Sequence, residues 1–390
     1  MSPIPTVIID ARGAKRLKQG HLWIYASDVA DTRDAHGGDV VAMQDERGHL
    51  YGYAFYSDAS QITLRWCAPP GPPPDRAFWK ARLEAAAAYR ARVVSDTNAY
   101  RLVYSEGDLI PSLIIDRYDD HFVLQTLSQG TEALKPLWVE LLREQFSPRS
   151  IVERNDTPVR QHENLPQSCG TLDGTTPAEV TVRMNGVELG MELLGGHKTG
   201  AFLDQRENYL AAAGYAHGRL LDAFTFAGGF SLHMAPKVSE ILAVDISEDA
   251  CALARRNAAR NNVKTMDVIR ANVFDFMREL DRVGERFDTI VLDPPAFAKS
   301  KGTLQTAYRG YKEINLRAMR LLAPGGTLIT CSCSYHVSEQ LFLEMLSDAM
   351  TDVGRPVRVI EQRLQARDHP VLLGVPETKY LKCVIARVMA

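Results

Sequence analysis

From about residue 195 to the end, the chain alternates short apolar runs with helix-forming stretches. The runs are RLLDAF (219–224), EILAVDI (240–246), MDVIRANV (266–273), FDTIVLD (287–293) and GTLITCSCS (326–334). Such alternation argues a parallel sheet covered by helices on both faces, with ligands held outside the carboxyl ends of the strands. The chemistry of this chain is therefore expected in the few residues just beyond each run.

At 390 residues the chain exceeds what one hydrophobic core supports, so two or three domains are expected. The proline-dense APPGPPPD (68–75) suits a stiff linker. It sets off an N-terminal module to about residue 70, whose short alternating stretches DVVAM and ITLRW read as a small β-barrel. Residues 75 to 190 read as an α+β segment: an alanine-rich helix, then LIPSLIIDRY and HFVLQTL as paired strands joined at Asp119 and Asp120. The polar stretch at 161–177 reads as a surface loop without chemistry. The last domain covers 191–390.

The chain shows neither a basic start leading into an apolar stretch nor an apolar run of about 18 residues, so secretion and membrane spanning are not expected, and the cytosol is. Six scattered cysteines are expected to stay reduced, and their spacing fits no zinc site. A net charge of −3 gives no global attraction to nucleic acid, which leaves that question to local patches. Two stand out. Arg12, Lys15, Arg16 and Lys18 precede Trp23 and Tyr25, joining positive charge to stacking surface as RNA binding requires. The residues after the fourth strand carry Lys299, Lys301, Arg309 and Lys312 with few acids among them, which suits a polyanionic substrate. For both patches the plain alternative is a solvated helix face.

Gly228 and Gly229 let the backbone turn tightly after the first strand and come close to a ligand, although a simple turn explains a glycine pair equally well. Asp245 ends the second strand, where a carboxylate can accept from both hydroxyls of a ribose. Asn272 and Asp275 come after the third. Either can grip an adenine edge or merely cap the next helix, and Asn272 is the better placed. After the fourth strand comes LDPPAF, with Asp293 at the tip and two prolines that stiffen the next few residues. The fifth ends in two thiols one serine apart, Cys331 and Cys333.

These stretches, with GGHKTGAFLDQREN (195–208), EGDLIPSLIIDRY, the N-terminal GHLWIYASDV and the closing DHPVLLGVPETKYLKCVIARV, resemble the ribosomal RNA large subunit methyltransferase I family along nearly the whole chain. The resemblance implies an α/β fold: a Rossmann-like class I methyltransferase domain with a mostly parallel seven-stranded sheet, preceded by a PUA-like β-barrel and a central α+β domain. It implies S-adenosyl-L-methionine as cofactor, S-adenosyl-L-homocysteine as product, and methylation of cytosine C5 in 23S ribosomal RNA. The partner is then ribosomal RNA, with no membrane and with a homodimer left open.

By the same resemblance, Lys198, Thr199, Asp204, Gln205 and Arg206 line the cofactor pocket from before the first strand. The plain alternative there is a helix start with surface ion pairs. Asp222, Phe224, Gly228 and Gly229 belong to the first strand and its loop, Asp245 and Ile246 to the second, and Asn272 and Val273 to the third. Asp293 and Pro294 complete the pocket. The nucleophile maps to Cys333, leaving Cys331 as packing. C5 of cytosine is too poor a nucleophile unaided, so a thiolate first adds to C6, while Asp293 hydrogen-bonds to or protonates N3. Such a thiolate needs nearby positive potential, for which His336, Lys299 and the cofactor's sulfonium are candidates.

Two departures matter. Asn272 stands where the family often has Asp, which keeps the acceptor for the adenine amino group and loses the charge. Pro295 stands where other RNA cytosine-C5 enzymes carry a cysteine, and the D-P-P-x-F string also suits methylation of exocyclic amines or purine nitrogens. Outside enzymes, the rival is an RNA-binding or assembly protein on an inactive methyltransferase fold. A nicotinamide-dependent dehydrogenase would need a fuller glycine fingerprint than FAGGF.

Overall fold

The computed structural model describes residues 4–195, 202–298 and 301–389. Two compact units emerge. One comprises Met1–Val182, Met191–Ala201 and Arg367–Thr378, the other Arg183–Gly190, Phe202–Ala366 and Lys379–Ala390.

The first unit contains two sheets. The N-terminal one has six strands in the order Trp23–Tyr25, Ile62–Ala68, Leu50–Tyr56, Val40–Gln44, Thr6–Ile9 and Val29–Asp31, and it curls into a half-barrel without closing. The central one has five, ordered Cys169–Gly174, Ser150–Arg154, His121–Thr126, Leu113–Tyr118 and Ala99–Tyr104. LIPSLIIDRY and HFVLQTL do pair antiparallel, with Tyr118 opposite His121. The proline-dense stretch at 69–75 joins these sheets without separating their interiors. Tyr53, Phe55 and Cys67 pack in one core with Trp79, Leu83, Phe122 and Trp138.

The polar stretch 161–177 requires a correction. It contributes a 3-10 turn, Pro158–Glu163, and an edge strand, Cys169–Gly174, paired antiparallel to Ser150–Arg154. An edge strand buries little, so its residues carry no apolar run to betray it.

The second unit holds α1 (Arg206–Ala213), β1 (Arg219–Ala223), α2 (Gly229–Met234), β2 (Glu240–Asp245), α3 (Glu248–Arg260), β3 (Met266–Arg270) and α4 (Val273–Val283). Next come β4 (Phe287–Leu292), α5 (Leu304–Leu321), β5 (Leu322–Ser332), α6 (Glu339–Val353), β6 (Val357–Arg363) and β7 (Lys382–Val388). The seven strands lie in the order β3-β2-β1-β4-β5-β7-β6. Neighbours from β3 to β5 pair parallel, and β7 runs antiparallel to both β5 and β6.

Continuous apolar runs are what a strand covered on both faces requires. Leu220, Leu221 and Ala223 of β1 and Ile290, Val291 and Leu292 of β4 are accordingly inaccessible to solvent. α4 buries Val273, Met277 and Leu280, one stripe at helical spacing, and ends at Gly284 in the left-handed conformation. Strand order reverses between β1 and β4, so the tips of β1, β2, β4 and β5 meet at one edge of the sheet, the place where open α/β folds bind ligands.

Candidate functional site

The loop after β1 runs Phe224, Thr225, Phe226, Ala227, Gly228. Both phenylalanines have positive φ, 68° and 50°, and Gly228 has φ 84°. Bulky residues in the left-handed region cost energy and persist only where the surroundings impose them, often at functional loops. Here two tethers do so. Phe224 N and Thr225 N both donate to the carbonyl of Val244, and Phe226 N donates to Asp245 Oδ2 at 3.0 Å. Gly229 answers to a different constraint, since a Cβ there would lie 2.6 Å from Tyr209 Cζ. It serves close packing, whereas Gly228 serves the turn.

Asp222, at the end of β1, is 1% exposed. Its Oδ2 accepts from Thr225 Oγ1, Ser231 N and Ser231 Oγ, while its buried Oδ1 has no hydrogen-bond partner. Burial raises its pKa to about 6 against those hydrogen bonds. A buried acceptor with nothing to accept from is uncommon in native folds. It fits a pocket made for a ligand that brings its own donor, such as the amino group of an amino-acid moiety.

Asp245 also accepts from Ser247 N at 2.9 Å, and a carboxylate's remaining lone pairs stay available to ribose hydroxyls. Beside it Ile246 is 62% exposed, an apolar surface suited to the face of a base. Asn272 caps α4, its Oδ1 accepting from Phe274 N at 3.0 Å and Asp275 N at 3.4 Å. Capping thus engages the oxygen assigned to the adenine amino group, and Val273 behind it is buried core.

Asp204, Gln205 and Arg206 precede and open α1, and all three are buried, which sets aside the alternative of surface ion pairs. Asp204 Oδ2 accepts from Tyr380 OH at 2.5 Å. Gln205 Nε2 donates to Asp293 Oδ1 at 3.0 Å and its Oε1 accepts from Asn208 Nδ2 at 2.7 Å. The segment before β1 is thereby tied to the tip of β4. Lys198, Thr199 and Lys299, with the side chain of Lys301, lie outside the described residues.

The two thiols occupy different environments. Cys331 is the penultimate residue of β5, fully buried and opposite Cys383 of β7, and burial drives its pKa well above the ordinary thiol value. The strand ends at Ser332, so Cys333 leaves the pleat and is only half-buried. Its Sγ lies 4.0 Å from the carbonyl oxygen of Pro294, which is itself buried. Cys333 thus lies against the residue that follows Asp293, at the tip of the neighbouring strand.

The flanking serines explain this turn. Ser332 and Ser334 are fully buried; Ser334 Oγ contacts Tyr311 OH at 2.9 Å and accepts from Ala298 N at 3.2 Å, and Ser334 N donates to Ser332 Oγ. Phe297 packs on Tyr311, centroids 4.6 Å apart, so the Asp-Pro-Pro-Ala-Phe segment and the thiol-bearing turn brace one another.

Sequence reasoning missed three contributors: Tyr380, Tyr311 and Lys382. Lys382 is 6% exposed, and its Nζ donates to the carbonyls of Ser334 and Tyr380, both at 2.7 Å. The only sign of it in the sequence is a lysine opening a strand whose next four residues are apolar.

The basic patches are partly neutralised. Lys312 pairs with Asp352 at 2.8 Å, while Arg309 is exposed. In the first unit, Arg12 pairs with Asp10, and Arg16 pairs with Asp28 and lies over Tyr25, 4.8 Å from its centroid. Lys15 and Lys18 line a cleft of about 560 Å³ with Arg47 and Tyr51, beside Asp10, Asp45 and Glu46. Trp23 donates from Nε1 to Glu106 at 2.9 Å and is half-buried.

Residues 7–68 match the PUA-like domain family, and residues 122–365 match the S-adenosylmethionine-dependent methyltransferase family. The chain is 38% identical over 395 residues to a protein of Tolumonas auensis named Ribosomal RNA large subunit methyltransferase I, covering 98% of this chain and 99% of that one. Proteins of the same name from Aeromonas hydrophila and Klebsiella pneumoniae are 39% and 37% identical over 96% and 100% of this chain, and over 96% and 99% of their own lengths. Among solved structures, SMU.776 complexed with SAH matches with a TM-score of 0.85 at 19% identity, over 99% of this chain and 100% of that one, which is a likeness of fold.

Proposed function

Because the chain belongs to the ribosomal RNA large subunit methyltransferase I family, and with it to the S-adenosylmethionine-dependent methyltransferases, we propose that it methylates C5 of a cytosine in large-subunit ribosomal RNA, with Cys333 as the nucleophile. The observation that carries this reading is the contrast between the two thiols: Cys331 lies sealed in the sheet, and Cys333 is half-buried against the segment that bears Asp293.

The donor pocket is formed by Asp222, Asp245 and Ile246, with Asn272 at its edge. Asp222 offers its free acceptor to the amino group of the methionine moiety, Asp245 takes the ribose hydroxyls, and Ile246 underlies the adenine. Bound there, S-adenosylmethionine supplies an electrophilic methyl group on its sulfonium.

On the substrate side, Asp293 is held by Gln205 and hydrogen-bonds to or protonates N3 of the cytosine. That draws electron density from C6. Cys333 adds as a thiolate, so a bond forms between Sγ and C6 and the displaced electron pair makes C5 nucleophilic. Once C5 carries its methyl group, a base removes the C5 proton, the electron pair returns to the ring, and the bond between Sγ and C6 breaks to free Cys333. Lys15, Lys18 and Arg309 are the cations best placed to meet RNA phosphates. The same reading puts the protein in the cytoplasm, where ribosomal RNA is its partner.

The test is nucleoside analysis of unmodified large-subunit ribosomal RNA incubated with the protein and labelled methyl donor. The label is expected in 5-methylcytidine, and in none when Cys333→Ala is used. Label in a methylated adenosine or guanosine, or undiminished label with Cys333→Ala, would support the amine or purine-nitrogen chemistry instead.

A further inference from the structure

β7 inserts between β5 and β6, and its first residue, Lys382, sits directly opposite Ser332, the last residue before Cys333. From there its Nζ reaches past the thiol-bearing residue to the carbonyl of Ser334, with Tyr380 O as second acceptor. An ammonium has three N–H donors, and both of these acceptors are neutral.

A buried cation held only by neutral groups is costly and calls for an anion nearby. The nearest carboxylates of α6 and β6 already pair with other cations. Glu339 of α6 pairs with Lys379 at 2.7 Å, and Glu361 of β6 pairs with Arg363 at 2.9 Å and accepts from Tyr215. Glu339, Lys379 and Arg363 line, with Lys382 and Gln362, a cavity of about 250 Å³. The turn that Lys382 grips also carries the exposed Tyr335 and the half-buried His336, whose ring centroids lie 5.4 Å apart, and the Cys333 thiol stands directly before it. Burial lowers the pKa of Lys382 to about 8; among the charged groups around it, Cys333 and then Glu339 raise it, and Lys379 lowers it.

We propose that Lys382 is the positioning residue of the nucleophile: its buried ammonium fixes the Ser334 carbonyl and stabilises the Cys333 thiolate between the two serines. This rests on Cys333 being the nucleophile. It assigns to the chain itself the positive potential that the thiolate needs, so that Cys333 is charged before substrate arrives and its proton passes to solvent.

The test uses the full chain without RNA or methyl donor. Iodoacetamide alkylation is followed across pH, with Cys333 read by peptide mass spectrometry apart from the exposed Cys169. Wild-type Cys333 is expected to titrate below the ordinary thiol value of about 8.5. Lys382→Met is expected to raise that midpoint by about one pH unit, or roughly tenfold less thiolate at neutral pH, and Lys382→Arg to restore most of it. A wild-type midpoint at or above the ordinary value overturns the proposal, as does one shared by wild type and Lys382→Met. If Lys382→Met does not fold, the wild-type midpoint and the Lys382→Arg profile decide. The readout involves no methyl transfer, so a Cys333→Ala protein that still methylates RNA would overturn the nucleophile reading separately.

Discussion

Gln205 Nε2 donates to Asp293 Oδ1 at 3.0 Å, which couples a residue ahead of the first sheet strand to the acid at the tip of the fourth. Gln205 is 1% exposed and also accepts from Asn208. Gln205→Ala removes this hydrogen bond to Asp293 and leaves a buried amide short of an acceptor. The predicted cost is about 1–3 kcal/mol of stability, with kcat/KM for RNA lowered at least about tenfold, a loss of about 1.4 kcal/mol in transition-state binding. Chemical denaturation and steady-state kinetics on the variant check both.

Asp222 makes stability depend on pH in an unusual direction. Burial raises its pKa to about 6, so the folded protein binds this proton more tightly than the unfolded chain, where the value is about 3.9. The contribution favours folding below about pH 4 and is lost as pH rises through about 6. Between those limits wild type is predicted to lose stability relative to Asp222→Asn, by roughly 1.4 kcal/mol for each rise of one in pH. Denaturation curves at several pH values measure it; parallel pH profiles would contradict it.

Ile246 exposes 62% of its surface, so its replacement removes no core contact. Ile246→Asp is predicted to change the unfolding free energy by no more than surface substitutions do, about 0.5 kcal/mol. Affinity for S-adenosylhomocysteine should fall about tenfold through loss of apolar contact with the base. Calorimetric titration decides this, and unchanged affinity would remove Ile246 from the pocket.

Gly229 tests the opposite case. A methyl group there meets the Tyr209 ring at 2.6 Å, so Gly229→Ala should destabilise by about 1–3 kcal/mol through overpacking. Urea denaturation reads the change, and a shift below about 0.5 kcal/mol would show that the ring yields.

Much of the second unit was readable in the sequence because burial on both faces demands apolar runs, and the five runs from RLLDAF to GTLITCSCS mark five parallel strands and their tips. The residues at those tips were readable too, as Asp245, Asp293 and the paired thiols show. Other features depend on where distant segments come to rest. Cys331 and Cys333 separate only because the strand stops at Ser332, a boundary that no residue type announces. Lys382 reaches Ser334 because β7 enters antiparallel beside β5, a long-range pairing. Lys312 looked like part of a basic patch until α6 supplied Asp352. The edge strand at Cys169–Gly174 is held by backbone pairing rather than by burial, and so left no apolar pattern.

The central claim is that Cys333 attacks the RNA base, and ribosomal RNA containing 5-fluorocytosine tests it most directly. Fluorine cannot leave C5 as a proton does, so the covalent adduct is trapped and migrates with the RNA on a denaturing gel. With methyl donor present, wild type and Cys331→Ala are predicted to crosslink and Cys333→Ala to fail. If none of the three crosslinks while all still methylate ordinary RNA, the thiols are structural and the account is wrong.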